Sequence, residues 1–197
     1  MASKHAGYPV CTGAQRTLRF VSLVYLAWYV LIAAAGLLSV CAYVLLGVDA
    51  SAWTGAAAPT RAAALANGIR FALDVAFNLC VSISAWMASN HPAIAPRFRV
   101  FAGVLVALSL ASMGYAVFFA QLAGFITSLY SLFITGLLLY LSNQIVRERA
   151  EGFAIDICDL ATGAGGKRLR TERQVMRAIE AGELPAPPAD APESPES

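Results

Sequence analysis

Apolar residues gather in four long stretches along the chain, from about Phe20 to Val48, Ala62 to Ala88, Val100 to Gln121 and Gly124 to Val146, with short polar segments between them. A helix needs roughly 20 apolar residues, at about 1.5 Å each, to cross a hydrocarbon core of about 30 Å, and each stretch is long enough. In lipid only helices and closed barrels satisfy every backbone hydrogen bond, and continuous apolar runs of this length are helices. The pattern therefore predicts an all-α integral membrane protein with four transmembrane helices over 20–146, an N-terminal segment at 1–19, and polar chain after 146. The first stretch exceeds the roughly 7–15 apolar residues of a cleaved leader, so the expectation is a retained span.

Past Val146 the periodicity stays helical. Phe153, Ile157, Leu160 and Ala164 are spaced by four, three and four, which predicts an amphipathic helical segment over 147–184, either continuous with the fourth span or broken at Gly152. Gly163, Gly165 and Gly166 stop it, and Thr171 with Gln174 three residues on makes a capping box for a short helix carrying Val175, Met176 and Ile179 and ending at Gly182. Residues 185–197 are Pro, Ala, Ser and acid, a composition that builds no core and predicts a disordered tail. At the other end Gly7, Pro9 and Gly13 predict loose order up to Gln15. Pro92 and Pro96 make a turn of 89–99, with His91 a solvated loop residue.

Composition agrees with the pattern: of 197 residues, 58% are apolar and 13% charged, about half the charge of an ordinary soluble domain. The net charge of +2 gives no case for nucleic acid as a partner. Its distribution is more informative. Lys4, Arg16 and Arg19 precede the first span, Arg97 and Arg99 lie between the second and third, and Arg147, Arg149, Lys167, Arg168, Arg170, Arg173 and Arg177 come after the fourth, whereas Arg61 alone falls on the opposite side. The excess of basic residues predicts that both termini are cytoplasmic, with 49–61 and 120–124 as the outer connections. Twelve of the 14 basic residues are Arg, a bias associated with GC-rich bacterial genomes, so the expected location is a bacterial cell membrane.

The second stretch is the costly one. It carries Asn67, Arg70, Asp74, Asn78 and Ser82 at spacings of three, four, four and four, which place all five on one helix face. A charge near the bilayer centre costs about 2.5–3.5 kcal/mol on insertion scales, so such residues face a cavity, a partner or each other. The stripe admits three readings: a polar pathway in which Asp74 titrates or holds a cation; an Arg70–Asp74 pair neutralised within the helix and buried against Tyr25, Tyr29, Ser109, Ser112, Thr127, Ser128, Ser131 or Thr135; or a contact face for another subunit. In span three Gly103, Ala107, Ala111 and Gly114, and in span one Ala35, Gly36 and Ser39, are small enough to let helix backbones approach.

Sites for chemistry are sparse. The four cysteines, Cys11, Cys41, Cys80 and Cys158, form no C-x-x-C pair and have no His near them in sequence, which predicts neither a redox nor a metal role. The Gly163–Arg168 run lacks the Ser/Thr of a phosphate loop and has no strand before it. With His5 and His91 both outside the spans, no nucleophile stands beside a base, and no catalytic residue, cofactor or metal is expected. Lys167, Arg168, Arg170, Arg173 and Arg177 offer contact to anionic headgroups, each at about 1 kcal/mol near a surface. The expectation is a non-enzymatic interaction or accessory subunit of a membrane assembly, working with a protein partner or as a homo-oligomer. The alternative is a small oligomeric ion or solute carrier using the Arg70/Asp74 stripe.

Overall fold

The computed structural model describes residues 8–46, 61–119 and 122–186; the expected outer loop up to residue 60, the centre of the 120–124 turn and the tail beyond 186 lie outside the described residues. Five α-helices succeed one another: α1 (Gly13–Leu46), α2 (Arg61–Asn90), α3 (Ala95–Phe118), α4 (Leu122–Ala150) and the short α5 (Glu172–Glu180). Among the described residues there is no strand, only a single bridge between Thr162 and Arg168. Four helices are long and apolar enough to cross a membrane, at Gly13–Cys41, Leu65–Asn90, Ala95–Phe118 and Ser128–Ala150. Phe20, Leu31, Leu38, Leu73, Leu108, Phe118 and Phe133 all stand exposed on them, as a lipid-facing surface requires.

The chain divides into two units, Val21–Ser84 and the combination of 1–20 with Ala85–Ser197. In the first, α1 meets α2 where Gly36 faces Phe71: a Cβ on residue 36 would run into the Phe71 ring, so the small residue is what the close approach needs. In the second, α3 and α4 form an antiparallel hairpin. Ala95, Phe98, Ala102, Leu105, Ser109 and Ala116 form its buried stripe on α3. That stripe corrects one expectation, because Ala107, Ala111 and Gly114 are exposed and Gly103 is only half-buried. A Cβ on Gly103 or Gly114 would meet nothing within 4 Å, so the face that α3 packs is the one carrying Phe98 and Leu105.

The described segments on either side of the four long helices depart from the expectations. α1 starts at Gly13, not near Phe20, because Thr12 caps it: Thr12 Oγ1 accepts from the Gln15 amide at 3.2 Å and Gln15 Oε1 accepts from the Thr12 amide at 3.1 Å. Residues 8–19 are therefore ordered, with Cys11, Ala14, Gln15 and Leu18 all buried. The 153–164 periodicity yields no α-helix. Gly152 takes φ +80°, the Phe153 amide bonds back to the Glu148 carbonyl at 2.7 Å and the Gly152 amide to Arg149 at 3.1 Å, and this left-handed cap ends α4. Beyond the cap the chain is irregular, with two short 3₁₀ turns at Ile157–Asp159 and Ala164–Gly166.

Candidate functional site

The polar stripe of α2 splits into an inner and an outer part. Asn78 is its hub: Tyr25 Oη donates to Asn78 Oδ1 at 2.6 Å, and Asn78 Nδ2 donates to the Asp74 carbonyl at 2.8 Å and to Asp74 Oδ1 at 3.2 Å. Ser82, fully buried, donates to the Asn78 carbonyl at 2.8 Å. Asn67, Arg70 and Asp74 are exposed. The Arg70–Asp74 pair, one of the three readings of the stripe, does not form, since no nitrogen of Arg70 comes within 4.0 Å of the Asp74 carboxylate. Asn78, one turn on, serves Asp74 instead.

Of the hydroxyls suggested as partners for the stripe, Tyr25 takes that role, and the side chain of Thr127 lies outside the described residues. Tyr29 packs its ring edge-on against Tyr25, centroids 4.9 Å apart. The remaining five bond one another between α3 and α4: Ser109 with Ser131 at 3.1 Å and with Thr135 at 3.5 Å, and Ser112 with Ser128 at 2.9 Å. Such cross-helix hydroxyl pairs hold a hairpin in lipid.

A second polar centre stands where α1 begins, α2 ends, α3 begins and α4 gives way to the irregular chain. Gln15, 1% exposed, donates through Nε2 to the carbonyls of Ser89 at 3.3 Å and Ile155 at 2.8 Å, and accepts from the Ile155 amide at 3.4 Å. Arg170 donates to Asn90 Oδ1 at 3.1 Å, and its carbonyl accepts from the Cys11 amide at 3.1 Å. Burial pushes the Cys11 thiol above its ordinary range, against the pull of Arg170 and Arg16.

His91 keeps part of the solvent exposure that its loop position suggests, but it also has a partner. Its amide still bonds to the Met87 carbonyl at 2.9 Å, the last turn of α2, and its Nδ1 lies 2.9 Å from Asp156 Oδ2 and 3.1 Å from Oδ1. Asp156 caps the first 3₁₀ turn by accepting from the Cys158 amide at 2.9 Å. Burial alone would raise the Asp156 carboxyl, but the Cys158 amide and His91 outweigh it and hold the carboxyl below the usual carboxylate range. The Cys158 sulfur completes the group: a donor atom from each of His91, Asp156 and Cys158 lies within 4.8 Å of the other two. Sequence reading missed this set because 65 residues separate His91 from Asp156. Asp156-x-Cys158 alone is no motif.

The five basic residues considered for lipid contact do different things. Arg168 donates to the carbonyls of Ile157 (2.9 Å) and Cys158, and Arg170 holds Asn90, whereas Lys167, Arg173 and Arg177 remain exposed. The apolar side of α5 is spent inside the protein: Val175 and Ala178 are buried with Leu169, and Tyr8, Val10 and Ile179 pack against them. The glycine run forms a tight turn closed by Gly163 on Lys167 at 2.9 Å and Leu169 on Ala161 at 2.8 Å. Its Ala164 amide is already taken by the Glu183 carboxylate at 2.9 Å. A cavity of about 930 Å³ beside this region is lined by Arg16, Arg147 and Arg173 but also by Glu148, Glu151 and Glu172, so its charge selects no ligand class. No family model matches the chain, and neither a curated protein nor a solved structure is significantly similar to it.

Proposed function

We propose that this chain is a non-enzymatic, multi-pass accessory subunit of a bacterial plasma-membrane assembly, with both termini cytoplasmic, and that it meets its partner through the outer part of the α2 stripe. The single observation that carries this reading is the position of Asp74. It stands nine residues into the apolar span that starts at Leu65, about 14 Å along the helix axis, exposed and without an ionic partner within 4.0 Å among the described residues. Arg70, one turn nearer the end of the span, has a side chain long enough to reach toward headgroups. A carboxylate on a short stem has no such route, and contact with lipid there costs several kcal/mol. A polar partner removes that cost.

The test is purification of the full chain from its own host in mild detergent, with native mass and identification of every protein that travels with it, for the wild type and for Asp74→Asn. The expected outcome is a stoichiometric unrelated membrane protein that is lost or depleted at least tenfold from Asp74→Asn, while the variant still inserts. A clean homo-oligomer, with flux in proteoliposomes that Asp74→Asn abolishes, would replace this reading with a small carrier.

A further inference from the structure

We propose that His91, Asp156 and Cys158 form a binding site for one divalent transition-metal ion of the zinc class, at the end of the helices where α2 turns into α3. The donors are an imidazole nitrogen, a carboxylate oxygen and a thiol sulfur, the borderline set that zinc, cobalt(II) and nickel(II) prefer and that calcium and magnesium do not. Ligand atoms bound tetrahedrally at about 2.0–2.3 Å stand roughly 3.3–3.8 Å apart, so a trio within 4.8 Å needs to close by no more than about 1.5 Å. His91 and Asp156 are already inside that distance, and the exposed Cys158 thiol already faces the Asp156 carboxylate as a hydrogen-bond partner.

The backbone under these donors is held in place independently of any ion. Asp156 is fixed by the Cys158 amide, Ile155 by the buried Gln15, and the carbonyls of Ile157 and Cys158 by the Arg168 guanidinium. His91 is fixed by the last turn of α2 and by the Ile94 amide, which bonds to its carbonyl at 2.9 Å. A supporting shell of this kind is what orients metal ligands. On binding, the Cys158 S–H bond breaks, its proton leaves to solvent, and the thiolate takes the metal; the His91 Nδ1–H that donates to Asp156 gives up its proton to solvent, Nε2 keeps or takes the ring's one proton, and the freed Nδ1 lone pair takes the metal. Water fills the fourth position, on the exposed side of Cys158. Bound metal staples the α2–α3 turn to the irregular chain beyond α4.

The experiment uses the full chain in detergent, purified without a polyhistidine tag, stripped with chelator and titrated with cobalt(II). Expected are one cobalt per chain, a thiolate-to-cobalt charge-transfer absorption, visible bands of tetrahedral intensity, and displacement by one equivalent of zinc. Cys158→Ser, a change at an exposed position, should elute and retain helicity as the wild type does yet lose the charge-transfer band, and His91→Ala should weaken binding by more than about tenfold. Absence of the band in the wild type, its survival in Cys158→Ser, or saturation only at millimolar cobalt would each overturn the site and leave His91–Asp156 an ordinary hydrogen-bonded pair. The Cys158→Ser result stands even if His91→Ala fails to fold.

Discussion

Asn78 uses both ends of its amide at once, accepting from Tyr25 on α1 and donating to Asp74 on its own helix, so it ties the register of α1 to that of α2. Cross-helix hydrogen bonds in membranes average about 0.6 kcal/mol and reach about 1.7, because the separated helices find other partners. Tyr25→Phe should therefore cost about 0.6 kcal/mol. Asn78→Leu should cost more, since it removes the amide that serves Asp74 as well as the acceptor for Tyr25. Unfolding in mixed micelles, tracked by tryptophan fluorescence, measures both, and the double variant should fall short of the sum because the two changes share one bond. Equal, additive losses would mean that the 2.6 Å contact between Tyr25 and Asn78 contributes nothing specific. The stripe itself was legible from spacing alone. Its division into a bonded inner half and an exposed outer half was not, because periodicity assigns a face and says nothing of what the neighbouring helix puts against it.

Helix ends show where local sequence signals suffice. The Thr171–Gln174 box was readable and forms with both reciprocal bonds, and Gly182, at φ +73°, ends α5. The same Thr-x-x-Gln pattern at Thr12 was masked by Gly13, which reads as a breaker but occupies the first turn of α1. The 153–164 stretch failed for the opposite reason. Its four-three-four spacing holds, yet Gly152 has already turned the chain, and of the four apolar residues Phe153 and Ala164 are exposed while Leu160 is buried, so they share no buried face. An L-residue in the left-handed region costs roughly 1–2 kcal/mol, so Gly152→Ala should destabilise the chain by about that amount. Thr171→Ala, which removes one capping oxygen, should cost about 1 kcal/mol. Thermal unfolding in detergent should place both below the wild type with helicity unchanged. A Gly152→Ala variant as stable as the wild type would show that this cap is not what stops α4.

At the scale of the whole molecule, Gln15 binding both Ser89 and Ile155 brings three distant segments together, beside four helices long and apolar enough to cross a membrane. Those four helices were legible, because apolar length is a property of a whole segment that no single contact overrides. The basic residues Arg16, Arg97, Arg99, Arg147 and Arg149 lie within a few residues of the starts and ends of these helices. The excess of basic residues near short connections sets the side that stays inside, which predicts that this end faces the cytoplasm. Thiol labelling tests it with one chain. A variant keeping only Cys158, with the other three cysteines changed to Ser and chelator present, should react with a membrane-impermeant maleimide only after the cells are permeabilised. Ser51→Cys in the same background, within the expected outer loop, should react in intact cells. In permeabilised cells a Cys11-only variant should react far more slowly than the Cys158-only one near neutral pH and gain as pH rises, since Cys11 is buried with its thiol pushed upward while Cys158 is exposed. Cys158 labelled from outside would invert the topology and move the whole basic end, Gln15 and the proposed metal site with it, to the external face.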